Sequence, residues 1–241
     1  MAYSKYVLAG NFLEIYDYPF NKVQSKRRSN FFDFNKSNVG PDEQKTEMSY
    51  RSAKTRIRRL INCNFKYGRS SFLTLTYAEN MGDVEKAKLD FKNWILRLNY
   101  ALYEKKTSDL KYLAVYELQQ RGAIHFHVVL FDVPWIEINK MRDIWGFGFI
   151  KYNKLKNCDN VGAYICKYFT KDGSRKKNEK LFFRSFNLKE PHEIELDEDA
   201  SKLYMAGFNV LGFRYAKEYK DYFGSNIYYR QLMVEEKIDT S

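Results

Sequence analysis

The sequence predicts an α+β protein, and two observations support this class. First, segments with strand-like and helix-like residue patterns follow one another over residues 71–171, in the order strand, helix, strand, strand, helix, strand, helix. Second, only QQRG, a short turn that contains Gly122, separates the two consecutive strands. A hairpin inside a helix-bracketed antiparallel sheet is typical of a ferredoxin-like or RRM-like sandwich.

Each element is predicted from its own residues. The segment SFLTLTYA (71–78) alternates and is rich in β-branched and aromatic residues, which is typical of a strand. Residues 83–104 carry Leu89, Trp94 and Leu98 at helical spacing, so these side chains are expected in a core. The predicted elements are strands over 71–78, 110–118, 123–131 and 147–152, and helices over 45–64, 83–104, 135–144 and 159–171.

Three parts are expected along the 241 residues. Residues 1–44 read as an N-terminal arm, which the Gly40-Pro41 step separates from the next helix. Residues 45–178 form the predicted α+β domain. Residues 179–241 are expected to form a C-terminal extension packed on, or following, the same domain.

The composition favours a polyanionic partner. Lys and Arg number 41 against 30 Asp and Glu, a net charge of +11, and the chain carries 20 Tyr and 19 Phe. Such a basic, aromatic-rich surface suits nucleic acid, with basic side chains on phosphates and rings against bases. The candidate backbone contacts are Arg51, Arg56, Arg58, Arg59, Arg175, Lys176 and Lys177.

Several classes of protein are disfavoured. The three cysteines form no CxxC pair, so neither a disulfide framework nor a cysteine zinc knuckle is indicated. No apolar run approaches the ~20 residues that span a bilayer, and no GxxxxGK[ST] motif of a P-loop ATPase is present. We therefore expect a cytoplasmic protein with reduced thiols and no membrane partner.

The segment AIHFHVVL (123–130) holds two of the three histidines. In an extended strand His125 and His127 share one face. Across the turn, Glu117 is expected to pair near residue 124, diagonal to His125. Two imidazoles and a carboxylate are a three-ligand set for zinc, manganese or magnesium; the alternative is two half-buried imidazoles hydrogen-bonded to their neighbours.

The last predicted helix, AYICKYFTKDG, carries a candidate nucleophile. Tyr164 and Tyr168 are four residues apart and so share a helix face, and each is followed three residues later by a lysine, Lys167 or Lys171. A nearby ammonium group favours the phenolate, which is the nucleophilic form of tyrosine. Core packing is the alternative explanation of the pair.

Three motifs in this order, FLTLTY (72–77), HFH (125–127) and YICKYFTK (164–171), resemble those of rolling-circle replication initiators of the HUH endonuclease superfamily. The resemblance implies a central, mainly five-stranded antiparallel sheet with flanking helices and with the histidines at its centre. It also implies the activity: one origin strand is cut, a tyrosine is joined to the 5′ phosphate, and a free 3′ hydroxyl primes synthesis. A later strand transfer closes the circle.

By this resemblance His125 and His127 are metal ligands, and Glu117 matches the usual position of the acidic third ligand. With a phosphate substrate we expect Mn²⁺ or Mg²⁺. The implied substrate is single-stranded or hairpin origin DNA of a plasmid or phage. A host helicase and polymerase are the expected partners, and residues 45–178 become the nicking domain.

The resemblance also ranks the tyrosines. YFTKDG resembles the single-tyrosine pattern of small circular-DNA virus initiators, which points to Tyr168 with Lys171. YICKY resembles phage initiators that alternate two tyrosines, which would add Tyr164 with Lys167. Thr74 and Thr76 of the first motif are expected to have a structural or DNA-contacting role.

Three alternatives stay open. A ferredoxin-like sheet with aromatic and basic residues could bind single-stranded nucleic acid without cutting it. A zinc hydrolase would use water in place of tyrosine as the nucleophile. Related HUH transposases and relaxases share the same chemistry.

Overall fold

The computed structural model describes residues 3–18, 41–119, 122–153, 155, 160–168, 182–220 and 225–237, without the side chains of 41–47. The strands of this part are β1 (Tyr3–Ala9), β2 (Phe12–Tyr18), β3 (Ser71–Thr76), β4 (Lys111–Leu118), β5 (Ile124–Phe131), β6 (Ile150–Tyr152), β7 (Phe183–Arg184), β8 (His192–Leu196), β9 (Phe208–Lys220) and β10 (Asn226–Glu236). The helices are α1 (Pro41–Asn64), α2 (Val84–Tyr103), α3 (Ile138–Trp145), α4 (Val161–Ile165) and α5 (Glu198–Ala206). A 3₁₀ turn, Cys166–Tyr168, follows α4.

The chain divides into two compact units. Residues Ala53–Lys189 form the central unit, and Met1–Ser52 together with Glu190–Ser241 form the terminal unit. The sequence predicted an arm over 1–44 and an extension over 179–241. In the structure, strands from both of these segments share one sheet.

The central unit contains a five-stranded antiparallel sheet in the order β6-β3-β5-β4-β7. The succession β3-α2-β4-β5-α3-β6, with β5 between β3 and β4 and with β6 at an edge, is the split βαβ arrangement of ferredoxin-like domains. The predicted α+β class and its central five-stranded antiparallel sheet are confirmed.

One face of this sheet is covered by α2 and α3. Strand residues such as Leu75 and Phe126 pack there against Trp94 of α2 and Trp145 of α3, and all four are fully buried. Burial of these large apolar side chains drives the packing of the two helices onto the sheet. Side chains alternate along a strand, so the residues between these core positions project from the opposite face.

The boundaries of most central elements lie within a few residues of the predicted ones. The largest difference is the last predicted helix, over 159–171. There α4 ends at Ile165 and continues as the 3₁₀ turn to Tyr168, and residues 169–171 lie outside the described residues. Cys63 and Cys166 carry free thiols, as expected for reduced cysteines.

The terminal unit holds a second five-stranded antiparallel sheet, in the order β8-β1-β2-β10-β9. Leu13 and Ile15 of β2 pack in its core with Phe208 and Val234, and Tyr204 of α5 lies against this cluster. Within the described part of the chain, no helix is both long and apolar enough to cross a membrane.

Candidate active site

Both histidines project from the face of the central sheet opposite the α2–α3 layer. Thr76 and Glu117 lie directly across from His125, on β3 and β4. Thr74 lies across from His127 in the same way. Directly opposed residues of an antiparallel pair share a face, so the predicted placement of the two imidazoles and Glu117 on one face matches the register.

The predicted register of Glu117 was wrong by one residue. Glu117 is opposite His125 and therefore diagonal to His127, whereas the expected partner was residue 124. The reason lies in the turn, because the backbone N–H of Gln119 donates to the carbonyl of Ala123 at 2.9 Å and sets the pairing of the whole hairpin. A shift of one residue exchanges the faces of a strand, so the turn decides which histidine Glu117 reaches.

His127 is held at both ring nitrogens. Its Nε2 lies 3.0 Å from Oε2 of Glu117, and its Nδ1 lies 3.2 Å from Oγ1 of Thr74. A carboxylate oxygen accepts, so Nε2 carries the proton and the Thr74 hydroxyl donates to Nδ1. Nδ2 of Asn153 in turn donates to Oγ1 of Thr74 at 2.9 Å, which orients the hydroxyl.

Burial controls the charge of His127. Its side chain is 6% exposed, and this desolvation lowers its pKa, although the hydrogen bond and charge of Glu117 act in the opposite direction. The imidazole is therefore neutral at physiological pH. Only a neutral imidazole has a lone pair for a metal ion.

His125 has a different partner. Its Nδ1 lies 3.0 Å from Nε2 of Gln119, at the end of the same hairpin. The amide nitrogen donates, so Nδ1 accepts and the ring proton is on Nε2. Both imidazoles therefore have their orientation set by a neighbouring polar side chain, which is also how proteins orient metal-binding histidines.

The donor set fits a divalent ion in its chemistry. His125, His127 and Glu117 offer two imidazole nitrogens and a carboxylate from neighbouring strands. Within the described residues, no group of three or more His, Cys, Asp or Glu side chains has the spacing of a metal centre. Glu117 and His127 are instead joined by a proton, and an ion would have to replace it.

Tyr168 lies against this face. Its ring centroid is 4.9 Å from that of His127 and 5.2 Å from that of Phe72. The hydroxyl oxygens of Tyr164 and Tyr168 are 3.4 Å apart. The structure therefore brings the predicted tyrosine pair to the histidines.

The position of Tyr168 depends on the packing of α4 against α1. A side chain at Gly162 would overlap the backbone carbonyl of Arg58, so only glycine permits this approach. Oδ1 of Asn62 accepts from the backbone N–H of Gly162 at 3.0 Å. Oδ1 of Asn160 caps the start of α4 by accepting from the N–H of Ala163.

The pKa of Tyr168 shifts against expectation. The hydrogen bond with Tyr164 raises the pKa of Tyr168, and burial raises it further, so Tyr168 is a neutral phenol at physiological pH. The ammonium group of Lys167 lies 5.4 Å from the ring centroid of Tyr164, where it forms a cation–π contact. Lys171, the predicted partner of Tyr168, lies outside the described residues.

The predicted phosphate contacts are dispersed. Arg56 is exposed and Arg58 and Arg59 are half-buried on the part of α1 within the central unit, whereas Arg51 belongs to the terminal unit. Arg175, Lys176 and Lys177 fall outside the described residues.

Sequence reasoning missed three residues that shape the site. Asn153, Gln119 and Phe72 contact His125 or Tyr168 directly, or orient a side chain that contacts His127. Thr74 was expected only to have a structural or DNA-contacting role, and its bond to His127 was not foreseen. Alternation along FLTLTY places Thr74 and Thr76 on one face, but it does not show that the histidine strand pairs with them.

Comparison with protein families agrees with this site. Residues 70–173 match the family model described as replication-associated protein ORF2. The matched segment spans β3 to the turn that carries Tyr168, and so includes all three motifs noted in the sequence. Neither a curated protein nor a solved structure matches the chain. The segment that carries the candidate site is therefore that of a replication-associated protein family, as the three motifs predicted.

Proposed function

We propose that this chain is a metal-dependent DNA nicking and joining enzyme that initiates rolling-circle replication of a plasmid or phage. The observation that carries the proposal is the 4.9 Å separation of the Tyr168 and His127 rings, with the Tyr164 hydroxyl 3.4 Å from that of Tyr168. A nucleophile thus lies beside a donor set suited to a phosphate-binding ion. The match to a replication-associated family supports the same role.

In the proposed reaction the hydroxyl oxygen of Tyr168 attacks the phosphorus atom of one phosphodiester. The new tyrosyl O–P bond forms as the P–O3′ bond breaks, the phenol loses its proton, and the departing 3′ oxygen gains one. The phosphoester is conserved, so a later attack by a 3′ hydroxyl rejoins the strand without ATP. This suits a chain without a P-loop motif.

The raised pKa of Tyr168 gives Tyr164 a role in this step. The Tyr164 oxygen, 3.4 Å away, is placed to receive the phenol proton as attack begins. Tyr164 is also the candidate second nucleophile for strand joining, with Lys167 beside its ring.

Three residues would hold the ion. His125, His127 and Glu117 would bind Mn²⁺ or Mg²⁺, which when bound would polarise the non-bridging phosphate oxygens. Thr74 and Gln119 keep the two imidazoles oriented in its absence.

The substrate in this proposal is single-stranded or hairpin origin DNA, because a stacked duplex hides the scissile phosphate from a nucleophile on a sheet face. The residues put forward as backbone contacts are those named above on α1 and over 175–177. A cytoplasmic host helicase and polymerase would open the duplex and extend the 3′ end.

One assay tests the proposal. Labelled single-stranded oligonucleotides from the replicon are incubated with the protein and Mn²⁺, then separated on a denaturing gel. We expect a protein–DNA adduct that Tyr168→Phe loses, or that only the double change with Tyr164→Phe loses. Tyr100→Phe, an exposed tyrosine on α2, is the matched control and should keep the adduct.

Two outcomes would contradict the proposal. Cleavage without an adduct would indicate that water is the nucleophile, as in a zinc hydrolase. Retention of DNA without cleavage would indicate a non-catalytic single-strand binder.

A further inference from the structure

Edge strand β6 places two exposed side chains on the histidine face. Ile150 packs into the core cluster on the opposite face, so its neighbours Phe149 and Lys151 project away from that core. The backbone N–H of Thr76 donates to the carbonyl of Phe149 at 2.9 Å, and Thr74 pairs with Lys151.

Each of these side chains shares a row across the sheet with one histidine. Phe149, Thr76 and His125 form one row, and Lys151, Thr74 and His127 form the next. Neighbouring strands are about 4.8 Å apart, so each side chain lies roughly 10 Å from its histidine along the row. A short single strand can cross this span.

Phe149 is exposed on a rigid backbone. Its side chain is 67% exposed, although it lies beside a well-packed core. Gly148 makes this position possible, because a Cβ there would overlap the carbonyl oxygen of Thr76 and lie 2.6 Å from the N of Ala78. A phenylalanine ring held out in solvent next to a catalytic face offers a flat surface for a nucleic-acid base.

Lys151 supplies the matching charge. Its side chain is exposed, and no carboxylate among the described residues forms an ion pair with it. A lysine beside a stacking ring neutralises a backbone phosphate at the same place where the base binds.

We propose that Phe149 and Lys151 form a subsite for single-stranded DNA, in which one base stacks on Phe149 and an adjacent phosphate contacts Lys151. The position of the subsite relative to the scissile phosphate rests on the proposed function. DNA entering the active site crosses the edge strand β6, and this subsite holds a nucleotide that flanks the cut without reading its sequence.

The subsite is tested by equilibrium binding with chemistry switched off. The protein carries Tyr164→Phe and Tyr168→Phe, EDTA is present, and fluorescence anisotropy follows a short labelled oligothymidylate. Phe149→Ala should weaken binding about 5-fold to 100-fold, as expected for loss of one base–aromatic stack. Phe149→Tyr should restore most of the affinity.

Matched controls lie in the same unit. Trp135 is 88% exposed and follows the end of β5 that is distant from His125, so Trp135→Ala should leave the affinity unchanged. Lys151→Gln should lower the slope of log affinity against log salt by about 0.7, the value for one phosphate contact to a single strand. Lys140→Gln, an exposed lysine on α3, should leave that slope unchanged.

The subsite and the proposed function fail separately. If Phe149→Ala and Trp135→Ala change the affinity equally, or if neither changes it, the subsite is refuted even where wild type forms the tyrosine adduct. A specific loss in Phe149→Ala with no adduct in wild type would support the subsite and refute the nicking enzyme. Loss of self-association in Phe149→Ala, with DNA affinity unchanged, would assign the ring to a protein contact and overturn the proposal.

Discussion

The substitution Thr74→Val tests whether the Thr74 hydroxyl holds His127 in place. Valine keeps the shape of the side chain and removes one oxygen. That oxygen lies 3.2 Å from Nδ1 of His127 and accepts from Nδ2 of Asn153 at 2.9 Å. The change therefore removes two hydrogen bonds next to an imidazole that is 6% exposed.

The expected loss of stability follows from these contacts. Each hydrogen bond contributes about 1 kcal/mol net, and a buried acceptor left without a donor costs about 1–3 kcal/mol. We expect the free energy of unfolding to fall by about 2–3 kcal/mol. Removing a group that orients a metal-binding histidine typically costs about 10-fold to 100-fold in metal affinity or activity, so Mn²⁺ binding and adduct yield should fall by that factor.

Urea unfolding followed by tryptophan fluorescence measures the first quantity. All three tryptophans, Trp94, Trp135 and Trp145, lie in the central unit, so the signal reports the unit that carries Thr74. Calorimetric titration with Mn²⁺ measures the second.

Thr76→Val is the matched control. Thr76 lies two residues along the same strand and face, but its hydroxyl donates to the carbonyl of Phe149 at 3.2 Å and contacts no histidine. We expect Thr76→Val to change the free energy of unfolding by no more than about 0.5 kcal/mol. Equal losses in the two variants, or unchanged Mn²⁺ affinity in Thr74→Val, would refute an orienting role of Thr74.

Two further predictions concern the frame around the site. Gly148→Ala should lower the free energy of unfolding by about 1–3 kcal/mol because its Cβ meets backbone atoms of Thr76 and Ala78; thermal melts should show no such loss in Gly212→Ala, where nothing lies within 4 Å, and a normal melt of Gly148→Ala would disprove the clash. Burial and then Asp90 raise the pKa of Tyr77, so the folded chain keeps a phenol proton that the unfolded chain releases above about pH 10. The stability that Tyr77 adds relative to Tyr77→Phe should be complete below that pH and shrink by about 1.4 kcal/mol per unit above it, and a pH-independent difference in urea unfolding would contradict this reading.

Local patterns predicted the central domain well because its elements have clear periodicities. Alternation in the segments that became β3 and β5, and helical spacing around Trp94, indicated the correct element types. The sheet of the terminal unit was not foreseen. Its strands β1 and β2 pair with β8 and β10 from the far end of the chain, and no local pattern reports a pairing over that separation.

The candidate site shows the same limit. That His125 and His127 share a face follows from a two-residue period, and the period is a property of the strand alone. Which of them Glu117 reaches depended on the pair that closes the hairpin turn, and one residue changed the answer.

The chain order of residues settled three things about this protein: the α+β class, the shared face of two imidazoles, and the likeness of its motifs to a replication-associated family. Tertiary packing alone decided that Tyr168 meets His127 across 41 positions of sequence, that Thr74 and Asn153 orient that imidazole, and that Phe149 stands exposed beside them. The physical reason is the range of the forces. Periodicity arises from backbone geometry over neighbouring residues, whereas register and approach depend on turn closure and on the contact of surfaces that are distant in the chain.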